Sequence, residues 1–231
     1  MGGRVIIKKN WNVDKEMENM DKEIKQRLDQ QFDFIREIDK EKFIGRQTYL
    51  TGAERKENDS EHAWHMAIMT ILLSEYANKE IDVLHTISML LIHDLVEIDA
   101  GDTYAYDEEG KKTQAERERK AADRIYGMLP EEQGKKLYDL WLEFEAQETP
   151  EAKFARTMDN LQPMMLNVAT DGKAWVEHGV HLNQILGRNA HTAEGSEILW
   201  EYARENFIQP HIEAGHIREG KSEDSVRESG V

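Results

Sequence analysis

The chain has 231 residues, no cysteine and a formal charge of −16 from 30 basic and 46 acidic residues. That length suits one large domain whose core needs no staples, and the missing cysteines exclude disulfides, thiolate metal sites and a cysteine nucleophile. The acidic balance argues against a nucleic-acid polymer as partner, and no apolar run is long enough to span a membrane.

Residues 1–10 lack the apolar run of a signal peptide; together with the absent cysteines this points to the reducing cytoplasm. Val, Ile and Thr form no alternating runs, while apolar residues recur at helical spacing, so the expected class is all-α. Residues 1–29 read as a charged helical arm, with Asp14, Glu16, Glu18, Lys22 and Lys25 on a solvated helix over 14–28. A single domain is expected over 30–215. It opens with the stripe Phe32, Ile35, Ile38, Phe43, followed by a loop over 45–59. Asp59 or Ser60 is the expected N-cap of a helix over 60–77. The segment 81–98 is apolar nearly all round and is expected at the centre of the domain. A loop over 99–112 precedes helices over 113–128, 131–147 and 150–169, the last kinked or ended by Pro163. A short helix near 181–189 and a long one over 194–213 follow, and 216–231 read as a polar, disordered tail.

Three features carry chemistry. His93-Asp94 lies in the most apolar segment, between Ile92 and Leu95, where an ionised Asp needs a counter-charge. A divalent cation supplies one, since adjacent helical side chains, about 100° apart, can converge on an ion between them. His62 and His65 share a helix face, and either suits as a further ligand. Asp159, on the Phe154 helix, is the third feature. Mixed imidazole and carboxylate donors suit Mn2+, Fe2+, Co2+, Ni2+ or Zn2+ better than Ca2+. Glu97, one helical turn beyond Asp94, and Asp102 in the next loop are placed to hold or move a proton. The residues do not decide which is acid and which is base. His178 and His181 read as loop or capping residues.

The order His62, His93-Asp94, Asp159 on successive helices resembles the HD-domain metal-dependent phosphohydrolases. The resemblance sharpens in Gly45-Arg46, Glu57-Asn58-Asp59-Ser60-Glu61-His62, His93-Asp94-Leu95-Val96-Glu97 and Gly101-Asp102. These look like the branch holding the bacterial 5′-deoxynucleotidases, and the likeness spans roughly 30–210. It implies an HD-domain helical bundle with one divalent transition metal on His62, His93, Asp94 and Asp159. Glu97 and Asp102 then act on the attacking water or the substrate, and Arg46 contacts phosphate. It also implies a homodimer. The substrate would be a small phosphate monoester, foremost a (deoxy)nucleoside 5′-monophosphate. Lys112, with Lys111 and Arg55, is a further candidate for phosphate contact. The characterised deoxynucleotidases carry a tryptophan after the arginine that helps favour deoxyribose; here the position is Gln47, which leaves deoxy against ribo open. The alternatives are an HD hydrolase of the alarmone or of nucleoside triphosphates, and a non-catalytic metal-binding regulator. The two-iron oxygenases need more histidines than His65 and His85 add.

Overall fold

A computed structural model describes residues 11–220, and the statements below concern those residues. Helix α1 (Trp11–Ile38) leads through a 3-10 turn (Asp39–Phe43) into a hairpin of β1 (Gly45–Tyr49) and β2 (Lys56–Asn58). Helix α2 (Asp59–Leu73) ends in a second 3-10 turn (Ser74–Tyr76). Then come α3 (Val83–Leu90), a 3-10 turn (His93–Val96) and α4 (Glu97–Ala100). The longer helices α5 (Glu108–Tyr126), α6 (Glu131–Ala146) and α7 (Pro150–Ala169) follow, then the short α8 (Lys173–Glu177), α9 (Leu182–Arg188) and α10 (Thr192–Gly195). Helix α11 (Glu197–Ala203), a π turn (Arg204–Ile208) and α12 (Gln209–Glu213) complete the bundle. The all-α class is as expected.

The central helix is α7, not the apolar segment 81–98. Twelve of its residues are buried, among them Phe154, Met158 and Leu161 but also Thr157, Asp159, Asn160, Gln162 and Asn167. Hydrophobicity alone hides such a helix, because its buried polar groups are matched by partners rather than absent. Asn160 Nδ2 donates to Thr192 Oγ1 (2.9 Å), and the Thr157 hydroxyl lies 2.8 Å from the Thr192 carbonyl. Gly195 lets α10 close on α7: a Cβ there would collide with Thr157 Oγ1 and the Lys153 carbonyl.

The single helix expected over 81–98 breaks after Leu90, and its ends are not buried all round, since Leu84 and Leu91 are exposed. His93 Nδ1 takes the Leu90 carbonyl (2.9 Å) that the Asp94 amide would use in a continuing α-helix, and the Tyr126 hydroxyl holds the Ile92 carbonyl (2.8 Å). The break carries the chain between two core clusters. One holds Met66, Leu90, Phe154 and Met158; the other holds Phe34, Leu95, Ile125 and Trp141.

Other boundaries move for local reasons. The loop expected over 45–59 contains the antiparallel hairpin, whose three-residue β2 is too short to show alternation. The N-cap of α2 is Asn58, not Asp59 or Ser60. Asn58 Oδ1 accepts from the Glu61 amide (3.0 Å) and Glu61 Oε2 from the Asn58 amide (3.1 Å), a reciprocal capping box. Asp59 and Ser60 are engaged elsewhere, with Arg46 and with Glu41. Helix α5 starts within the loop expected over 99–112, capped by Asp107 on the Gly110 amide (3.0 Å). Pro163 neither ends nor interrupts α7. The helix expected over 194–213 is divided at Ser196, whose Oγ caps α11 on the Leu199 amide (3.1 Å).

Helix α1 runs without a break through residues 29 and 30, and Gln31 Nε2 donates to Gln133 Oε1 at the start of α6 (2.9 Å). Past residue 215 the chain still packs: Ile217 is buried, and the Leu182 amide donates to the Arg218 carbonyl (2.9 Å). The expectations for 1–10 and 221–231 fall outside the described residues.

Candidate active site

Three backbone devices deliver the site. The capping box fixes the first turn of α2, so His62 faces inward with no exposure. The break after Leu90 presents His93 and Asp94 together. The long α7 contributes Asp159 and, one turn either side, Arg156 and Gln162. A fourth device sits in the hairpin. Gly45 pairs with Asn58 and Tyr49 with Lys56, so β1 carries extra residues between those pairs, a bulge that re-aims Arg46.

His62, His93 and Asp94 each offer a ligand atom within 4.8 Å of the others. Asp159 Oδ1 lies 3.1 Å from His62 Nε2 and 3.9 Å from His93 Nε2. The hydrogen bonds fix which ring nitrogen is free. Gln162 Nε2 donates to Glu57 Oε2 (2.8 Å), which turns Gln162 Oε1 toward His62, and His62 Nδ1–H donates to it (2.9 Å). His62 Nε2 therefore presents a lone pair to the lone pairs of Asp159, an arrangement that only a proton or a cation between them relieves. Burial pushes the His62 imidazole down to about 4, so a proton is the poorer choice at neutral pH. In the same way His93 Nδ1–H is spent on the Leu90 carbonyl, and His93 Nε2 is buried without a hydrogen-bond partner. It sits 3.0 Å from Asp94 Oδ1 in a geometry that is not a hydrogen bond. Against its burial, the Asp94 and Asp159 charges lift the His93 imidazole to about 9, so the ring holds a proton that a cation at the same place would displace. Two imidazoles with Nδ1 committed to a fixed acceptor and Nε2 facing a carboxylate fit a divalent transition metal.

Around this set the acids outnumber the bases. Arg46 Nη1 donates to Asp94 Oδ2 (2.9 Å) and Asp59 Oδ1 (3.2 Å), and Arg46 Nε lies 3.6 Å from Glu57 Oε1. Burial opposes charge on Asp94, but His93 and Arg46 outweigh it and hold the carboxyl well below its usual range. Asp159 is likewise held low against its burial by the Arg188 and Arg156 guanidiniums that converge on it. The other carboxyls move up. Burial pushes Glu57 to about 7, and burial with the Asp94 charge pushes Asp59 to about 8. Glu97 is raised well above its ordinary value by burial and by the Asp94 and Asp59 charges, and its Oε2 is buried without a partner. Asp102 is raised chiefly by burial.

A cavity of about 220 Å3 opens onto these groups. Arg46, His93, Asp94, Glu97, Asp102 and Asp159 line it, and His62 lies behind Asp159. Lys112 is not brought to it: this side chain is exposed and pairs with Glu109 (2.6 Å), while its neighbour Lys111 lines the cavity. Arg55 forks onto Glu61 Oε1 (2.5 Å) and Oε2 (2.8 Å) at the surface. Gln47 lines the cavity and accepts from Lys56 Nζ (2.5 Å). Sequence reasoning gave no role to Gln162 or Arg156, although their spacing of three from Asp159 put them on its face of α7. It also missed Arg188, which reaches Asp159 from a separate helix and left no local signal.

Comparisons with known proteins give the family. Residues 38–200 match the family model described as an HD domain. The chain belongs to the HD-domain family. A solved structure, described as a predicted metal-dependent phosphohydrolase from Magnetospirillum magnetotacticum MS-1, is 45% identical with a TM-score of 0.79, covering 83% of this chain and 95% of that one. A conserved hypothetical protein from Pyrococcus furiosus shares the fold at 22% identity and a TM-score of 0.55, over 77% of this chain and 97% of its own. Among curated relatives, the human 5′-deoxynucleotidase HDDC2 is 31% identical over 134 residues, 57% of this chain and 64% of that protein. The Dictyostelium discoideum protein of the same name is 34% identical over 119 residues, 49% of this chain and 63% of its own length. The matches thus span less than two thirds of these relatives. Among the described residues no helix of this HD-domain protein is long and apolar enough to cross a membrane.

Proposed function

We propose that this HD-domain protein is a metal-dependent phosphohydrolase that cleaves small phosphate monoesters, foremost a (deoxy)nucleoside 5′-monophosphate. The observation that carries the reading is the meeting of His62 and His93 with Asp94 and Asp159 beside a cavity lined by arginine and carboxyl groups. His62, His93, Asp94 and Asp159 would hold one divalent transition metal, Mn2+, Fe2+, Co2+, Ni2+ or Zn2+, which supplies Lewis acidity toward water and phosphoryl oxygens. The chain's own residues then position and move protons. Arg46 neutralises Asp94 at the cavity wall, where that buried carboxylate would otherwise repel an anion. Glu97 and Asp102 both lie where a proton can be taken from the attacking water or given to the leaving ester oxygen. Phosphoryl transfer needs little beyond such positioning and charge stabilisation. The nucleotide assignment draws on the relatives named 5′-deoxynucleotidase, and the aromatic lining of Tyr104, Tyr106 and Trp175 suits a base or sugar.

The test is phosphate release from nucleoside mono-, di- and triphosphates and the alarmone by metal-stripped protein, with Mn2+, Co2+, Ni2+ or Mg2+ added back. Metal-dependent release from monophosphates, lost together with bound metal in His93→Ala, is the expected result. Release only from triphosphates or the alarmone would move the substrate class. Bound metal with no release from any ester would favour a regulatory role.

A second copy of the chain is the proposed partner. Trp64, Ile68, Ile71 and Leu72 on α2, Leu84 on the adjoining α3 and Leu91 just beyond its end are exposed large apolar residues. This is more than isolated surface apolar residues require, and it suits the homodimer that the family resemblance implies. Light scattering on Ile68→Glu should show a smaller species than the parent chain; equal masses would remove this face from the interface. The cytoplasm remains the proposed compartment.

A further inference from the structure

The cavity has a pair of cations that the family resemblance does not assign. Arg156 of α7 and Arg188 of α9 converge on one atom, Asp159 Oδ2, at 3.0 Å each. Two guanidinium charges thus meet a single carboxylate, whose other oxygen already faces His62 and His93. Arg156 is further held over the Phe144 ring (4.6 Å) and lies 3.9 Å from Glu145. Arg188 is different. Among the described residues its hydrogen-bonding partner is Asp159 alone, through Nη2, and its side chain is 36% exposed. Both arginines line the same cavity as Asp94, Glu97 and Asp102.

Arg46 offers less to a substrate. Its side chain is 13% exposed, its Nη1 serves Asp94 and Asp59, and its Nε is buried beside Glu57. Withdrawing it toward an anion would strand two buried carboxylates. Arg188 can turn toward the cavity at little cost, because Arg156 remains on Asp159. A guanidinium fork matches two oxygens of a phosphoryl group, and a doubly charged phosphate is a stronger acceptor than a carboxylate oxygen already shared by two donors.

We propose that Arg188, backed by Arg156, is the phosphoryl grip of this site: it takes the oxygens of a phosphate monoester dianion while Arg156 keeps Asp159 in place. This rests on the phosphohydrolase reading above. It assigns substrate affinity to Arg188 and a positioning role to Arg156.

The experiment uses the full chain loaded with Mn2+, as parent, Arg188→Met and Arg188→Lys. It measures KM and kcat for a monophosphate, inhibition by inorganic phosphate, calorimetric binding of inorganic phosphate, and metal per chain. Arg188→Met should raise KM and weaken inorganic phosphate about 10- to 100-fold with metal content unchanged, and Arg188→Lys should recover part of the loss. Unchanged phosphate binding in Arg188→Met overturns the proposal, as does a loss of metal parallel to the loss of activity, which would make Arg188 a buttress of Asp159. A parent that turns over monophosphates while Arg188→Met behaves identically sinks the grip and leaves the phosphohydrolase reading standing. A parent inactive on every ester sinks that reading, and the phosphate titrations still decide whether Arg188 binds the anion.

Discussion

Gln162 makes no contact with a substrate-facing atom, yet it decides the chemistry of His62. Its amide is oriented by Glu57, and it in turn fixes the proton on His62 Nδ1 and frees Nε2. Replacing it with leucine removes the acceptor, so the ring can take the other tautomer and present a proton where a lone pair is needed. Gln162→Leu should weaken metal affinity about 10- to 100-fold, read by competition with a chelating dye; an unchanged affinity would show that the relay is dispensable. Glu97 belongs to a different category. It is buried at the cavity wall and is not among the proposed ligands, so Glu97→Gln should keep its metal while turnover falls about 100-fold. Near-normal turnover would remove Glu97 from the proton path.

At the scale of elements, the placement of His62 depends on the first turn of α2. The reciprocal bonds of Asn58 and Glu61 satisfy two amides that a helix start leaves open. Asn58→Ala should cost about 1 kcal/mol, measured by urea unfolding, because both ends of the box are lost at once. The sequence shows this box in Asn58 and Glu61, but the neighbouring Asp59 and Ser60 are equally good caps by residue type. Only the tertiary demands of Arg46 and Glu41 exclude them. The same limit recurs elsewhere. His93-Asp94 was legible as a charged pair in an apolar segment, and Asp159 as a carboxylate on a helix. The break that presents the pair depends on Tyr126, a residue 34 positions away from the carbonyl it holds. Arg188 was illegible for a like reason, since nothing near it in the chain marks it as a partner of Asp159. The centre of the domain was misjudged because mean hydropathy scores Asn160, Gln162 and Thr157 as surface residues, whereas their paired hydrogen bonds let α7 carry them inside.

For the whole molecule, the donors come from α2, the turn after α3, and α7, so a metal bound to them would tie together segments up to 97 residues apart in sequence. An unfolded chain offers no such convergence. Metal at about 100 times its dissociation constant should therefore add about 2.7 kcal/mol of stability, seen as a chelator-sensitive rise in the unfolding midpoint. A midpoint indifferent to chelator would mean that the donors do not share one ion. The same assembly explains why buried carboxylates are tolerated here at all. Arg46, Arg156 and Arg188 balance part of that charge, and the remainder shows as raised proton affinity on Glu57, Asp59 and Glu97.

The short parallel pairing near the end of the described chain has a consequence for how the protein can be handled. The Arg218 amide donates to the Val180 carbonyl (3.0 Å), the Leu182 amide returns to the Arg218 carbonyl, and α9 starts at Leu182 and ends at Arg188. The turn around Arg218 is thus a strap across the root of the helix that aims Arg188. Trimming the chain back to residue 215 would unfasten that strap without touching a proposed ligand. Such a shortened protein would still load metal but would hold phosphate more loosely, so tags and cuts at this end are not neutral to catalysis.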